Sequence, residues 1–316
     1  MPNSNTFQKI VLVPLAVAVF AASPGVFAHT RLEVPNVQEG TTVGHAQTNR
    51  VYNQVVISHG CTPAAKRSPT YGTTVVFPNA ASYTPIIGVN SNNTGTMAGL
   101  AGAVYTKNPA STYYSPLAGI GALINTGGPF PFSNLKVDAL GNKDGFWAGG
   151  KFYDQTISTY INIPFYSNTV TINPKSCART VTFELAIADV CDVTVNSTHA
   201  SDDQVLYWSP IPNFLGVPGQ PFGAPVADPT RNIPVGPAYS KYDGYADAAH
   251  TIAGDGWGSP ATLTVTRNTS TNPLPANCTG NGGLGDDIFV FPSADQINKE
   301  LPVYQNADQT GAVYWQ

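Results

Sequence analysis

No stretch of this chain keeps apolar residues at i, i+3, i+4 and i+7 over three helical turns. Short runs rich in Val, Ile, Thr, Tyr and Phe recur instead, at 53–58, 73–77, 155–163, 169–172, 181–187, 261–265 and 288–291. Each is bounded by Gly, Pro, Asn or Asp, residues that set turns through positive φ, a fixed φ or side-chain bonds to their own backbone. Such a chain has little to build with except sheet, and a sheet must bury one face against another layer. The expected fold is all-β, a β-sandwich or distorted barrel.

Two segments interrupt this pattern. Residues 91–123 are rich in Gly, Ala, Ser and Asn, and 209–237 carry eight prolines. Pro lacks the N–H donor and Gly weakens strand preference, so neither is expected to supply a regular ladder. They are two long Gly/Pro-rich loop insertions on one domain, or, in the alternative, flexible linkers between domains.

The N-terminus has the marks of a secretory leader. Lys9 gives a positive start, 10–20 is a short apolar run, and Val26-Phe27-Ala28 places small residues at the cleavage positions. The run is about half the roughly 20 residues of a spanning helix, and no later stretch approaches that length. Residues 1–28 are therefore expected to be a bacterial-type signal peptide, and 29–316 an exported domain without a membrane span, in the periplasm, at the cell surface or secreted. Charged residues make up only 11% of the chain and the net charge is −4 with no basic cluster, so nucleic acid is not an expected partner.

Export also sets the reading of the four cysteines, Cys61, Cys177, Cys191 and Cys278. An even number in an oxidising compartment implies two disulfides. Cys177 and Cys191 flank a hairpin-sized stretch in which Val181, Phe183 and Leu185 alternate, which favours pairing them; with Cys61 or Cys278 as the partner instead, three connectivities stay open. No Cys-x-x-Cys spacing suggests a thiolate metal site.

Cleavage after Ala28 makes His29 the first residue of the mature chain, with an α-amine and an imidazole on one residue. Together they chelate a metal ion. The chain continues His29-Thr30-Arg31-Leu32-Glu33-Val34-Pro35, then Glu39-Gly40, Ile57-Ser58-His59-Gly60-Cys61, Ser68-Pro69-Thr70 and Pro78-Asn79. Farther on come Trp147-Ala148-Gly149-Gly150, Asp154, a run closing at Pro164, Leu301-Pro302-Val303-Tyr304-Gln305, Gly311 and Trp315. In this order the elements resemble the YcnI-like family of exported copper-binding domains, enlarged here by the two insertions.

The resemblance implies a β-sandwich that binds one copper(II) ion per chain through a single-histidine brace: N-terminal amine, imidazole, a carboxylate and a nearby tryptophan. Carried over, the histidine is His29 and the tryptophan Trp315. Relatives place the carboxylate where this chain has Ser58-His59-Gly60, so His59 stands in its place and would give two imidazoles and an amine. Nitrogen donors suit copper(II), which tops the affinity order for such sites. The free α-amine titrates near pH 8, roughly, so copper displaces its proton at neutral pH, and binding weakens in acid. The indole N–H of Trp315 offers no lone pair, so its role is to pack a π-face by the metal.

The implied function is copper buffering, uptake or delivery, the partners being the ion and another periplasmic or membrane copper protein. A copper monooxygenase with a two-histidine brace is the rival reading, and a surface or matrix protein that needs no metal is a third. A serine hydrolase is not supported, because no G-x-S-x-G elbow occurs. Trp147 reads as a packing residue beside Gly149-Gly150. His45, the group His199, Asp202 and Asp203, and the group Asp243, Asp247 and His250 read as polar loop residues. The sequons at Asn92, Asn196, Asn268 and Asn277 read as turn formers.

Overall fold

A computed structural model describes residues 30–40, 50–57, 70–92, 104–106, 108–115, 123–124, 130–153, 160–190, 205–208, 261–293, 296 and 300–301. In chain order the strands are β1 Arg31–Leu32, β2 Asn36–Gln38, β3 Arg50–Ile57, β4 Thr70–Val76, β5 Ile86–Asn90, β6 Val104–Thr106, β7 Tyr114–Ser115, β8 Leu123–Ile124 and β9 Phe132–Val137. They continue as β10 Lys143–Tyr153, β11 Ile161–Asn168, β12 Thr171–Ile172, β13 Ala178–Glu184, β14 Ala186–Val190, β15 Val205–Trp208, β16 Thr262–Thr266 and β17 Asp286–Phe291.

These strands form an all-β, sandwich-like molecule. Among the described residues the sheets have the orders β1-β3-β11-β8, β15-β14-β4-β10-β9, β12-β7 and β2-β16-β13-β17-β5-β6. Alternation is cleanest where β3 and β11 pair antiparallel from Ile161↔Ile57 to Asn168↔Arg50. Val51, Val55, Ile161, Ile163 and Phe165 point inward, while Asn162 and Asn168 face solvent. Side chains on successive positions of a strand take opposite faces, so this pattern fixes the register. β14 is buried at every position and β17 at all but its first, as expected of strands covered on both sides.

One segment ties two of the sheets together. β13 pairs β16 and β17, whereas β14, which follows after Leu185 alone, pairs β4 and β15. The Leu185 N–H bonds the Ala261 carbonyl at 3.0 Å and so leaves no orphan donor at the crossing. A strand that passes from one sheet to the next makes a corner of the sandwich. Its inward residues Val181, Phe183, Leu185 and Ile187 belong to one core with Leu32, Val55, Val75, Phe146, Tyr114 and Ile288. Phe183 meets Tyr114 edge-on with ring centroids 5.0 Å apart.

The same segment overturns the expected Cys177–Cys191 disulfide. The residues between these cysteines run as one extended path, about 3.3 Å per residue, which carries its ends far apart instead of folding them into a hairpin. Cys177 is bonded to Cys278, with Cα atoms 5.4 Å apart, where the Asp286 N–H reaches the Cys177 carbonyl at 2.7 Å. Cys61 and Cys191 lie outside the described residues.

The first insertion also departs from expectation. Within 91–123, β6 pairs β5 and β7 pairs β12, because Val104-Tyr105-Thr106 and Tyr114 are strand formers set among the small residues. Residues 1–29 and the 209–237 insertion lie outside the described residues. Among the described residues no helix is long and apolar enough to cross a membrane.

β10, eleven residues long, escaped the reading by composition. Its glycines permit close strand approach: Gly149 lies opposite Gly72, and a Cβ on Gly72 would sit 2.8 Å from the Ala148 carbonyl oxygen. Trp147 is buried and its ring lies over Gly149, as expected of a packing residue.

Two buried polar groups, Glu39 and Arg267, tie neighbouring loops together. Glu39 accepts bonds from Ile172 N at 2.6 Å, Asn268 N at 2.8 Å and Asn272 Nδ2 at 3.1 Å. Arg267 beside it donates to the carbonyls of Ala178, Asn173 and Ser176 and to Asn272 Oδ1. Burial pulls the Arg267 guanidinium down from its ordinary range, against the pull of Glu39. Buried groups bonded this fully give a lock rather than a reactive centre.

Candidate metal centre

The first described residues are pinned at once. Thr30 is buried, and its Oγ1 donates to Asp189 Oδ2 at 2.5 Å. Arg31 and Leu32 then pair with Val56 and Val55 of β3. Glu33 N bonds the Gln54 carbonyl at 2.9 Å, and Asn53 clasps Val34 from both sides, at 2.9 Å to its N–H and 2.7 Å to its carbonyl. The Arg31 guanidinium lies 6.0 Å from the Tyr160 ring centroid. These bonds begin one residue after His29.

Asp189 was not foreseen. It is 1% exposed and sits opposite Thr73 of β4 and Leu206 of β15. Alternation puts it on the same side as Ile187, and Thr73 on the same side as Val75, both in the core. The Thr73 hydroxyl is buried without a hydrogen-bond partner. The signal available in the sequence was a lone charge in the otherwise apolar run 185–190. A carboxylate in such a place is costly unless something meets it.

His29, His59 and Trp315 lie outside the described residues, as do His45, His199 and His250, so all five histidines of the chain do. Among the described residues no three His, Cys, Asp or Glu side chains gather as a metal group. Asn268 is a turn former as expected: its Oδ1 accepts the Ser270 N–H at 3.2 Å.

A second polar cluster lies at the other end of the five-stranded sheet. Asn79 Nδ2 donates to Asp138 Oδ2 at 2.7 Å and to Asp144 Oδ2 at 2.9 Å. Gln296 Nε2 bonds the Phe77 carbonyl at 2.8 Å and Asp144 Oδ2 at 3.3 Å, while Tyr83 OH donates to Glu300 Oε1 at 2.7 Å. Burial, aided by the nearby Glu300 and Asp138 charges, pushes the Asp144 carboxyl up to about 7 despite the Asn79 bond. Burial also brings the Lys136 amine down to about 8, against the pull of Glu300 and Asp144. For Asp138 burial is outweighed by bonds from Ser82, Asn142 and Asn79, which hold its carboxyl well below the usual range. Asp138 also accepts the Leu140 and Asn142 N–H groups, at 2.9 and 2.7 Å, and so shapes the β9–β10 turn. The cluster closes a hairpin and docks Gln296 on the sheet.

Glu184, at the end of β13, is also buried, and burial pushes its carboxyl up to about 8. It is largely neutral at pH 7. No protein-family model, curated protein or solved structure matches this chain.

Proposed function

We propose that the processed chain is an exported copper-binding protein that captures one copper(II) ion at its N-terminus. The α-amine and imidazole of His29 form the brace, His59 supplies a second imidazole, and Trp315 packs a ring against the metal. The observation that carries this reading is the β1–β3 register. Arg31 stands opposite Val56 in an antiparallel pair, so Thr30, the residue after His29, and Ile57, two residues before His59, lie at the same end of that sheet. Burial of Thr30 and its bond to Asp189 support it further, since a chelating terminus gains affinity when the residue behind it is ordered.

The donor set fits the metal. Amine and imidazole nitrogens suit copper(II) over harder ions, and bound copper would supply a Lewis-acidic or redox centre there. The chain's own part is to hold the two nitrogens of His29 deprotonated and fixed. Such a site serves buffering, uptake or delivery to another periplasmic or membrane copper protein without catalysis.

Copper(II) added to metal-free processed protein, followed by electron paramagnetic resonance, is expected to give one site per chain with coupling to nitrogen. His29→Ala should alter that coupling and lose tight binding. An unchanged spectrum in the variant would refute the brace. Oxygen- and reductant-dependent turnover by the copper-loaded protein would shift the reading to a monooxygenase.

A further inference from the structure

We infer that the solvent face of the β1-β3-β11-β8 sheet binds an acidic polysaccharide, a run of uronic acid units whose carboxylates meet Arg31 and Arg50. The inference goes beyond the copper reading and does not depend on it.

Alternation along β3 and β11 separates a core face from a solvent face. On the solvent side two arginines are each set against a tyrosine. The Arg50 guanidinium lies 4.3 Å from the centroid of the half-buried Tyr166 ring, and the Arg31 guanidinium lies 6.0 Å from that of Tyr160, which is 58% exposed. Tyr52 stands opposite Tyr166 across the two strands, with ring centroids 5.5 Å apart, and widens the first of these stations. Arg31 pairs with Val56, near the far end of β3 from Arg50, so the two stations stand about 20 Å apart along one face.

A guanidinium stays charged and presents its N–H donors in one plane, a shape that takes a carboxylate through two parallel bonds. A ring beside it fixes that plane beforehand, so less side-chain freedom is lost when the anion arrives. Between the stations the face carries amides instead of charges: Gln54 on β3 and the exposed Asn162 on β11. An amide both donates and accepts, which matches sugar hydroxyls. On β1, β3 and β11 this face holds two cations, and Glu33, just after β1, is the carboxylate beside them, in a chain whose net charge is −4. A local positive excess on an acidic chain selects an anion by charge complementarity. A polyuronate meets both halves of the pattern, with carboxylates at intervals and hydroxyl-bearing rings between them. The sheet face is open along its strands, so it takes such a chain from the side.

The test is affinity electrophoresis of the metal-free processed protein through gels holding polygalacturonate or alginate. Fully methyl-esterified polygalacturonate, which keeps the sugar and removes the charge, and polyacrylate, which keeps the charge and removes the sugar, are the comparisons. A uronate should retard the protein strongly, and the ester and polyacrylate should do so only weakly. Arg50→Ala and Arg31→Ala should each weaken uronate binding about tenfold or more, the scale of one charge-assisted pair, with the thermal midpoint of Arg50→Ala unchanged. Arg50→Lys, which keeps the charge but not the fork, should recover only part of the loss. If Arg31→Ala does not fold, Tyr160→Ala, at the exposed ring, takes its place.

Failure of both uronates to retard the protein overturns the inference. So does equal retardation by polyacrylate, which would mean charge alone, or undiminished uronate binding in both station variants, which would put the contact elsewhere. Copper is absent from these gels, so loss of the polysaccharide site would leave the His29 brace standing, and loss of the brace would leave this face standing.

Discussion

Thr30 Oγ1 donates a 2.5 Å hydrogen bond to Asp189 Oδ2, joining the first described residue of the domain to a strand 159 residues later. Both partners are buried, so removing the donor leaves a carboxylate short of a bond. Thr30→Val, which keeps the shape and deletes the hydroxyl, should cost about 1–3 kcal/mol in urea unfolding. Thr30→Ser, which restores the hydroxyl, should recover most of it; equal losses in the two variants would mean that the methyl packing matters and the bond does not.

The bond between Cys177 and Cys278 spans 101 residues, and the chain has only two other cysteines. Non-reducing peptide mapping should therefore return one peptide joining Cys177 to Cys278 and a second joining Cys61 to Cys191. Cys278→Ser should lower stability by about 5 kcal/mol, the scale expected for releasing a loop of that length. A peptide linking Cys177 to Cys191 would contradict this connectivity.

Gly72 and Gly149 face each other across β4 and β10, and a Cβ on Gly72 would meet the Ala148 carbonyl oxygen at 2.8 Å and the Gly149 Cα at 2.9 Å, both backbone. Gly72→Ala should cost about 2 kcal/mol or more, since no flexible side chain can give way. Gly141, with φ of 84° and nothing within 4 Å of its Cβ position, should accept Asn at smaller cost, because Asn tolerates that backbone region. Similar thermal shifts in the two variants would deny the close strand approach.

Two acids are raised by burial, Asp144 to about 7 and Glu184 to about 8, from ordinary values of 3.8 and 4.5. The folded chain then holds protons that the unfolded chain has released, so their contribution is complete below pH 4, roughly, and is lost as pH rises through 8. Asp138 works the other way, its stabilisation fading only in acid, and Lys136 relieves its own cost above pH 8, roughly. Urea midpoints should fall between pH 5 and pH 8, and Glu184→Gln should flatten that fall. A midpoint that rises over this interval would be at odds with the buried, neutral acids.

The runs 53–58 and 288–291 were legible as strands from their β-branched and aromatic content, although 288–291 turns out to be buried on both faces. β10 was hidden because glycines weaken strand preference, and only the close approach of Gly145 to Val75 and of Gly149 to Gly72 explains them. The run 181–187 read as one strand, but no local signal marks Leu185 as the point where the chain changes sheets, since its neighbours are apolar on both sides. The cysteine pairing failed for the same reason. In the candidate centre, Asp189 was visible only as a charge out of place, because its partner Thr30 is remote in sequence and their meeting depends on the whole sandwich.

The central claim is that the free N-terminus at His29 is the copper ligand. Calorimetric titration of copper(II) into the metal-free processed protein and into a form carrying one extra residue before His29 tests it most directly. The account predicts one tightly bound ion per chain in the first and loss of tight binding in the second, since the extension converts the amine to an amide. Equal affinity in the two proteins would contradict it.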